Sequence, residues 1–277
     1  MIISAADVAF FRENGFVVIR QILTEAERQT LLAALERIRA KVIAHPERYH
    51  TRFVKKSSDT WGCGDVFMPD LYEEPLADYL ARTDLLDGIR ALLQTSRLRF
   101  WGGHALWSPE EHAYDLHWHR DGTPDLYDPS GAATHVQFNT ALGPDSAFLA
   151  VPGSHRRALT PEEADAVAHR TTIPLPGEVV AHCEPGDVVF MNAWTLHRGR
   201  SPARGGRRTL HFNLQPAEEE YGAGSSRPWM RDPDYLQRLP QPVRELMDNL
   251  VAWDETHPDQ EQGRRLPARL AAARLAQ

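Results

Sequence analysis

The N-terminal part of the chain has hydrophobic positions at helical spacing. A short helix is predicted over residues 5–14, and Gly15 is expected to end it. A longer helix is predicted over about 24–44, because Thr24 and Glu27 have the spacing of a capping box. Its apolar stripe, which indicates a core-facing side, consists of Leu31, Leu32, Leu35, Ile38 and Val42.

Short strand-like runs separated by Gly, Pro and Asp turns dominate the middle of the chain. The predicted strands cover residues 16–19, 98–107, 115–119, 134–142, 147–151, 178–183, 187–191 and 207–214. Several short strands at this spacing predict a β-sandwich or barrel. Residues 46–75 show no clear pattern, whereas 75–93 and 233–252 are predicted to be helical.

The order of these elements predicts a single domain over residues 1–277. No internal repeat and no stretch of linker composition divides the chain. Within the domain we expect a helical N-terminal part (1–95), a β core (about 96–216) and a helical C-terminal part (217–277). The last residues of the chain are polar and rich in Arg and Ala.

Charge and cysteine content narrow the class of protein. The formal net charge is −7, and acidic and basic residues are interspersed, which argues against nucleic acid or an anionic membrane as a partner. The two cysteines, Cys63 and Cys183, provide no disulfide framework and favour a reducing compartment. There is no secretory signal pattern and no apolar run of about 20 residues, so we expect a cytoplasmic protein. The sequence leaves the oligomeric state open.

A His-x-Asp motif next to a predicted strand is the first candidate metal site. His119 and Asp121 are two residues apart, and residues two apart in an extended strand point to the same face. One imidazole and one carboxylate could therefore reach the same ion.

A later segment supplies a third candidate ligand. Residues 185–187 (Pro-Gly-Asp) form a tight-turn signal, a predicted strand follows, and His197 lies beyond the strand. The strands between His119 and His197 could return the chain to the first pair. Two histidines and one carboxylate leave three coordination positions open, as in non-haem Fe(II) oxygenases.

Two adjacent arginines open the last predicted strand of the β region. Residues 198–206 are rich in Gly, Arg, Pro and Ser and are predicted to form a loop. After this loop, a buried Arg208 guanidinium could hold a carboxylate by a bidentate pair. The distal carboxylate of an α-keto acid needs such an anchor. The alternative is that Arg207 and Arg208 are solvated charges at the start of the strand.

Four features occur in a fixed order along residues 7 to about 215. They are residues 11–19 followed by 23–27, His119-Arg120-Asp121, the Pro-Gly-Ser-His element at 151–156, and Gly186-Asp187 through His197 followed by Arg208. In this order and spacing the sequence resembles the phytanoyl-CoA dioxygenase family of Fe(II)/2-oxoglutarate-dependent oxygenases.

The resemblance implies a mainly β fold with flanking helices and a double-stranded β-helix core of the jelly-roll, cupin-like kind. It implies that Fe(II) is bound at a catalytic centre of three residues, His119, Asp121 and His197. Arg208 would bind the 5-carboxylate of 2-oxoglutarate, and O2 would be the second co-substrate. Gln137 and Asn139 share one strand face and are candidates for further contacts to 2-oxoglutarate.

The expected activity is hydroxylation of an unactivated C–H bond of a small metabolite, and secondary-metabolite biosynthesis is one setting for it. Asp121 favours hydroxylation over halogenation, because halogenating relatives have a small residue at this position. Desaturation, epimerisation and ring closure by the same iron chemistry stay open. So does a cupin-type metal enzyme without a keto acid, in which His117 would pair with His119. Candidates for substrate contacts are His117, Trp118 and Trp194.

Overall fold

The strands form two antiparallel sheets in the computed structural model, which describes residues 2–121, 124–220 and 226–257. In chain order they are β1 Phe16–Ile19, β2 Thr51–Phe53, β3 Thr60–Gly64, β4 Leu98–Trp107, β5 Tyr114–Asp115, β6 Val136–Ala141, β7 Phe148–Ala150, β8 Val179–Val180, β9 Val188–Asn192, β10 His197–Ser201 and β11 Arg208–Pro216. The larger sheet has the order β1-β9-β6-β11-β4-β3-β2, and the smaller sheet has the order β5-β10-β7-β8. This architecture agrees with the predicted fold class.

Helices flank the two sheets. They are α1 Ala5–Asn14, α2 Glu25–Ala44, α3 Glu74–Leu80, α4 Thr83–Leu93, α5 Pro161–Ala168, α6 Pro233–Leu236 and α7 Gln241–Thr256. The predicted starts and ends of the first two are confirmed. Gly15 ends α1 in the left-handed conformation, and Thr24 and Glu27 form the capping box of α2. Each cap satisfies backbone groups that the helix itself cannot.

The larger sheet has one apolar face and one polar face. On β11, Leu210, Phe212 and Leu214 are fully buried in the main core, which also contains buried residues of α2, α3, α4 and α7. His211 and Asn213 alternate with them and face the smaller sheet, where they line a cavity. This alternation follows from the period of two along a strand.

The sequence did not predict the two strands, β2 and β3, that form one edge of the larger sheet. β2 and β3 lie in the segment 46–75 that showed no pattern, and they pair with each other and then with β4. Gly62 and Gly64 weaken the strand signal of β3, since glycine is depleted in strands.

Two other predicted elements differ from the structure. Residues 198–201, predicted as the start of a loop, belong with His197 to β10, because β5 and β7 pair with it on its two sides. The predicted helix at 75–93 is two helices, α3 and α4, which are separated at Ala81 and Arg82.

Several composition-based expectations can be compared with the structure. Cys63 and Cys183 are both buried free thiols. None of the helices within the described residues is long and apolar enough to cross a membrane. The predicted polar tail after residue 257 and part of the predicted C-terminal region, 221–225, lie outside the described residues.

Candidate metal centre

Two segments of the smaller sheet meet at a cluster of potential metal ligands. His119 follows β5, and His197 is the first residue of β10. Their backbones pair, since His119 N donates to His197 O (3.0 Å) and His197 N donates to His119 O (2.9 Å). Asp121 N donates to Ala193 O (2.9 Å), which anchors the carboxylate beside the imidazoles. Backbone pairing therefore brings the three sequence-predicted ligands together.

The side-chain atoms of these residues converge. His119 Nε2 lies 3.6 Å from Asp121 Oδ1, and His197 Nε2 lies 4.0 Å from the same oxygen. One ligand atom from each of the three residues lies within 4.8 Å of the others. This is the donor set of the two-histidine, one-carboxylate sites that bind Fe(II).

Each imidazole is oriented through its second nitrogen. His119 Nδ1 lies 2.9 Å from His117 O, and His197 Nδ1 lies 2.9 Å from Thr195 O. A carbonyl oxygen only accepts hydrogen bonds, so both Nδ1 atoms carry the proton. The Nε2 lone pairs are left for a metal ion, in the arrangement that ligating histidines commonly have.

Burial keeps the inner histidine neutral. It lowers the pKa of His197 to about 4, together with the nearby His119, while the charge of Asp121 acts in the opposite direction. A neutral imidazole is the form that binds a metal, so no proton has to be displaced from His197 at neutral pH. The donor set and its protonation state therefore fit a divalent cation.

Arg120, between the two ligands of the His-x-Asp motif, clamps the loops around the site. Its buried guanidinium donates to four backbone carbonyls, at 2.6–2.8 Å: Pro124, Leu126, Ser154 and Arg157. Ser154 belongs to the Pro-Gly-Ser-His element, and its Oγ accepts from Leu196 N (2.8 Å), next to His197. These contacts connect both ligand segments through one set of hydrogen bonds.

The ligand cluster opens into a cavity of about 440 Å³ between the two sheets. Its walls come from β2, β3, β4, β6 and β11 of the larger sheet and from β5, β7 and β10 of the smaller sheet. The nitrogen- and oxygen-bearing side chains that line it, besides the ligands, are Arg52, Trp61, Trp101, His104, Tyr114, His135, Gln137, Asn139, Arg198, Arg207, His211 and Asn213.

Arg207, rather than Arg208, points into this cavity. Its Nε donates to Asp145 Oδ2 (2.9 Å), and its NH1 donates to Tyr114 OH. Burial alone would lower the pKa of Arg207, but Asp145 and Tyr114 raise it overall, so the buried guanidinium is charged. An arginine of this kind can present a fixed pair of donors to a carboxylate.

The predicted position of Arg208 is corrected by this arrangement. Its Nε donates to Glu36 of α2, and its NH1 donates to Arg207 O (2.8 Å). Arg208 shares the helix-facing side of β11 with Leu210, whereas Arg207 lies one residue earlier and so faces the other way. A shift of one residue along a strand exchanges the two faces.

Residues 11–210 match the sequence model of the phytanoyl-CoA dioxygenase family. The chain belongs to this family. Its members are Fe(II)/2-oxoglutarate-dependent oxygenases, so the protein is an enzyme of that class. A search of curated protein sequences finds no match.

Solved structures with the same fold include other enzymes. EctD from S. alaskensis in its apoform aligns at 19% identity over 82% of both chains, with a TM-score of 0.60. HygX from Streptomyces hygroscopicus, with nickel and 2-oxoglutarate bound, aligns at 20% identity over 77% of this chain and 87% of its own, with a TM-score of 0.58. The carbocyclase SnoK from nogalamycin biosynthesis aligns at 19% identity over 78% and 85%, with a TM-score of 0.59. At these identities the likeness shows a shared fold.

The other predicted site residues of this dioxygenase-family chain divide into two groups. Gln137 and Asn139 both line the cavity, and Asn139 Oδ1 lies 2.7 Å from His211 Nδ1. Their contact with 2-oxoglutarate stays a prediction. His117 lies beside His119 with its ring centroid 5.5 Å away, but its ring is not part of the convergent ligand cluster.

The two tryptophans predicted to contact substrate have other surroundings. Trp118 is fully buried with Leu149 and Leu196, and its Nε1 donates to Ile173 O (2.8 Å). Trp194 is fully buried in a cluster with Leu126 and Ala193. Both predictions are corrected: these side chains pack in separate clusters rather than in the cavity wall.

Several cavity residues were missed because their segments carried no motif. Arg52 and Trp61 lie on β2 and β3, in the unassigned segment, and Tyr114 starts a two-residue strand. Only the alternation in Arg207-Arg208-Thr209-Leu210 could have signalled the correct arginine. There Leu210 belongs on the core face, which places Arg207 and Thr209 on the other face.

Proposed function

We propose that this protein hydroxylates an unactivated C–H bond of a small-molecule substrate, using Fe(II), 2-oxoglutarate and O2. The observation that carries the proposal is the convergence of His119, Asp121 and His197 at one end of a cavity that also contains Arg207. A metal donor set with an open side and a positioned arginine fits one metal ion and one dicarboxylate together.

Three side chains would hold the iron, and they would do so from one side. His119 and His197 would each contribute the lone pair of Nε2, and Asp121 would contribute one carboxylate oxygen. The bound iron, with 2-oxoglutarate and O2, supplies the oxidising chemistry that breaks the C–H bond. The protein keeps the ligand positions fixed through backbone pairing and through the carbonyls that accept from the two Nδ1 atoms.

Arg207 would bind the distal carboxylate of 2-oxoglutarate. Asp145 holds the Arg207 guanidinium from one side, since its carboxylate accepts from Arg207 Nε (2.9 Å). Thr209 Oγ1 donates to the same Asp145 oxygen (2.5 Å) and so fixes the carboxylate. Tyr114 OH accepts from Arg207 NH1, so the hydroxyl proton of Tyr114 is left to donate to the distal carboxylate of 2-oxoglutarate. The guanidinium is thereby oriented before the co-substrate arrives, which lowers the entropic cost of binding.

The size of the cavity suits a small substrate. A volume of about 440 Å³ lies at the lower end of the range of about 300–1,000 Å³ for small-molecule sites. Apolar side chains of Leu106, Leu116 and Phe148 lie among the polar lining residues. Such a mixed wall can bind a substrate and exclude bulk water from the metal.

Asp121 supports hydroxylation in preference to halogenation. Its carboxylate belongs to the ligand cluster and so occupies the coordination position that a halide would need. The comparison structures include a carbocyclase, which shows that this fold accommodates other outcomes in other proteins.

The test is anaerobic addition of Fe(II) and 2-oxoglutarate, followed by exposure to O2 and measurement of succinate. We expect a charge-transfer absorption band from the iron–keto-acid complex, and succinate once O2 is admitted. His119→Ala should lose both signals, whereas His112→Ala, at an exposed histidine, should keep them. A His119→Ala variant with a normal band and normal succinate yield would refute the proposal.

A further inference from the structure

A second arginine lines the cavity without an acidic partner. Arg52 lies on β2, the edge strand of the larger sheet, and its side chain is partly buried. Its Nε has no hydrogen-bond partner and no contact with solvent. Within the described residues, no carboxylate oxygen lies within 4.0 Å of its guanidinium, whereas Arg207 and Arg198 are paired with Asp145 and Asp115.

The groups that contact Arg52 are neutral. Its NH2 donates to His104 Nδ1 (3.2 Å), and its guanidinium carbon lies 5.2 Å from the centre of the Trp61 ring. Burial lowers the pKa of His104 to about 3, so this imidazole is an uncharged acceptor. His211, 5.0 Å from His104 between ring centroids, is also neutral because burial lowers its pKa well below the ordinary value. The positive charge of Arg52 is therefore not neutralised by its contacts.

An aromatic pair connects Arg52 with Arg207. Trp61 and Tyr114 stack with ring centroids 4.6 Å apart; Arg52 contacts Trp61, and Arg207 contacts Tyr114. The two guanidinium groups thus contact different rings of this stacked pair and line the cavity at separate positions. One 2-oxoglutarate held between the metal and Arg207 has no carboxylate left for Arg52.

We propose that Arg52 binds an anionic group, most simply a carboxylate, of the substrate. This inference rests on the proposed function, because it assumes that the co-substrate occupies Arg207 and the metal. A partly buried arginine without an acidic partner is costly to leave without an anion, and a carboxylate matches its pair of donors.

The residues around Arg52 also indicate what kind of chemical group would lie next to the carboxylate of the substrate. Trp61, Leu106 and Leu116 contribute apolar surface to the same cavity. Together they fit a compact apolar body that carries one acidic group. Its carbon atoms would lie between the anchoring arginine and the metal ligands, where a C–H bond can be attacked.

Matched acid and amide probes test the inference. 3-Phenylpropionate and 3-phenylpropionamide differ in charge but hardly in shape. Their binding to the anaerobic protein loaded with Fe(II) and 2-oxoglutarate is measured by calorimetry and by the shift of the charge-transfer band. Preloading fills the metal and Arg207 positions, so that the acid cannot bind there as a co-substrate analogue.

We expect the acid to bind about tenfold or more tightly than the amide, because a charge-assisted pair is lost in the amide. Arg52→Gln should abolish this preference, Arg52→Lys should keep part of it, and Arg97→Gln, at an exposed arginine paired with Glu218, should leave it intact. Thermal melting of each variant establishes that it is folded.

Three results of the probe measurements overturn the inference. They are equal binding of acid and amide, no binding of either at millimolar concentration, and a preference that survives in Arg52→Gln. It is also overturned if Arg52→Gln weakens 2-oxoglutarate as strongly as Arg207→Lys does, since Arg52 would then serve the co-substrate. Absence of the charge-transfer band in the native protein would instead refute the proposed function, and the probes can still be measured on the metal-free protein.

Discussion

At the scale of single residues, the orientation of one strand decides which arginine can serve the site. Arg207 and Arg208 are neighbours with identical side chains, but Arg207 lines the cavity and pairs with Asp145, whereas Arg208 pairs with Glu36 on α2. The apolar residues that follow on β11 settle this choice, because Leu210 and Phe212 must face the helical core.

This difference predicts unequal effects of the same substitution. Arg207→Lys keeps the charge next to Asp145 but loses the planar fork, so the Kd for 2-oxoglutarate should rise by roughly 10- to 100-fold. Arg208→Lys should leave that Kd within about twofold, since Arg208 is directed to Glu36 of α2 and does not line the cavity. Anaerobic titration of the charge-transfer band measures both. The assignment fails if Arg208→Lys is the variant that weakens binding.

The Asp145–Arg207 pair also predicts a pH dependence of stability. Burial alone would raise the pKa of Asp145, but the charge of Arg207 and hydrogen bonds from Thr209 and Ala147 hold it below the ordinary value. The carboxylate therefore stabilises the fold above the unfolded-state pKa of about 4, and this contribution is lost as the pH falls through the lower folded-state pKa.

Urea unfolding from about pH 7 to about pH 3 checks this sign. The native protein should lose more free energy of unfolding on acidification than Asp145→Asn does, because the amide has no carboxylate to protonate. Asp145→Asn should be less stable at neutral pH, since it leaves the buried Arg207 without its counter-ion. Parallel pH profiles of the two proteins would contradict the prediction.

At the scale of elements, the turn between α1 and β1 supports the strand that carries His197. Gly15 has a φ of +84°, and a β-carbon there would lie 2.2 Å from Thr195 Oγ1 and 2.6 Å from His155 Nδ1. Thr195 Oγ1 donates to Gly15 O (2.9 Å), and Thr195 O accepts from His197 Nδ1. The N-terminal helix is thereby linked to the candidate metal ligand His197 through Thr195.

Gly15→Ala should consequently lower both stability and metal affinity. Left-handed strain and overpacking together predict a loss of roughly 2–4 kcal/mol in the free energy of unfolding. Gly177→Ala is the matched control, because Gly177 has a φ of +75° but nothing within 4 Å of its β-carbon position. It should lose only about 1 kcal/mol and bind Fe(II) normally. Equal losses in the two variants would remove the role assigned to the contact with Thr195.

At the scale of the whole molecule, the site joins the two sheets. The candidate metal ligand His197 begins a strand of the smaller sheet and His119 pairs with it, whereas Arg207 immediately precedes β11, a central strand of the larger sheet. A metal ion and a dicarboxylate bound between them would add contacts that exist only in the folded protein. Ligands of this kind stabilise the native state by mass action.

Loading the protein should therefore raise its melting temperature. At 100 times the Kd, one ligand contributes about 2.7 kcal/mol, which corresponds to roughly 5–10 °C for a chain of this size. Mn(II) with 2-oxoglutarate permits the measurement in air, and a chelator should reverse the shift. His119→Ala should show little change on loading. A shift in that variant as large as in the native protein would place the stabilising metal elsewhere.

The family and the candidate ligand residues were predictable from the sequence, because these predictions depend on local patterns and their order. The capping box at Thr24, the end of α1 at Gly15 and the His-x-Asp spacing each involve residues a few positions apart, whose geometry local chemistry determines. The sequence also predicted that His119, Asp121 and His197 lie close together, and the structure brings them into one cluster.

Only the tertiary structure decided which way the arginines face and which residues complete the cavity. Arg52, Trp61 and Tyr114 lie on strands of three, five and two residues, which are too short to give a clear alternating pattern in the sequence. Pairing with neighbouring strands defines them. Likewise, whether Trp118 and Trp194 contact a substrate or pack in the interior depends on residues far away in the sequence. These properties are set by long-range packing, which no local pattern encodes.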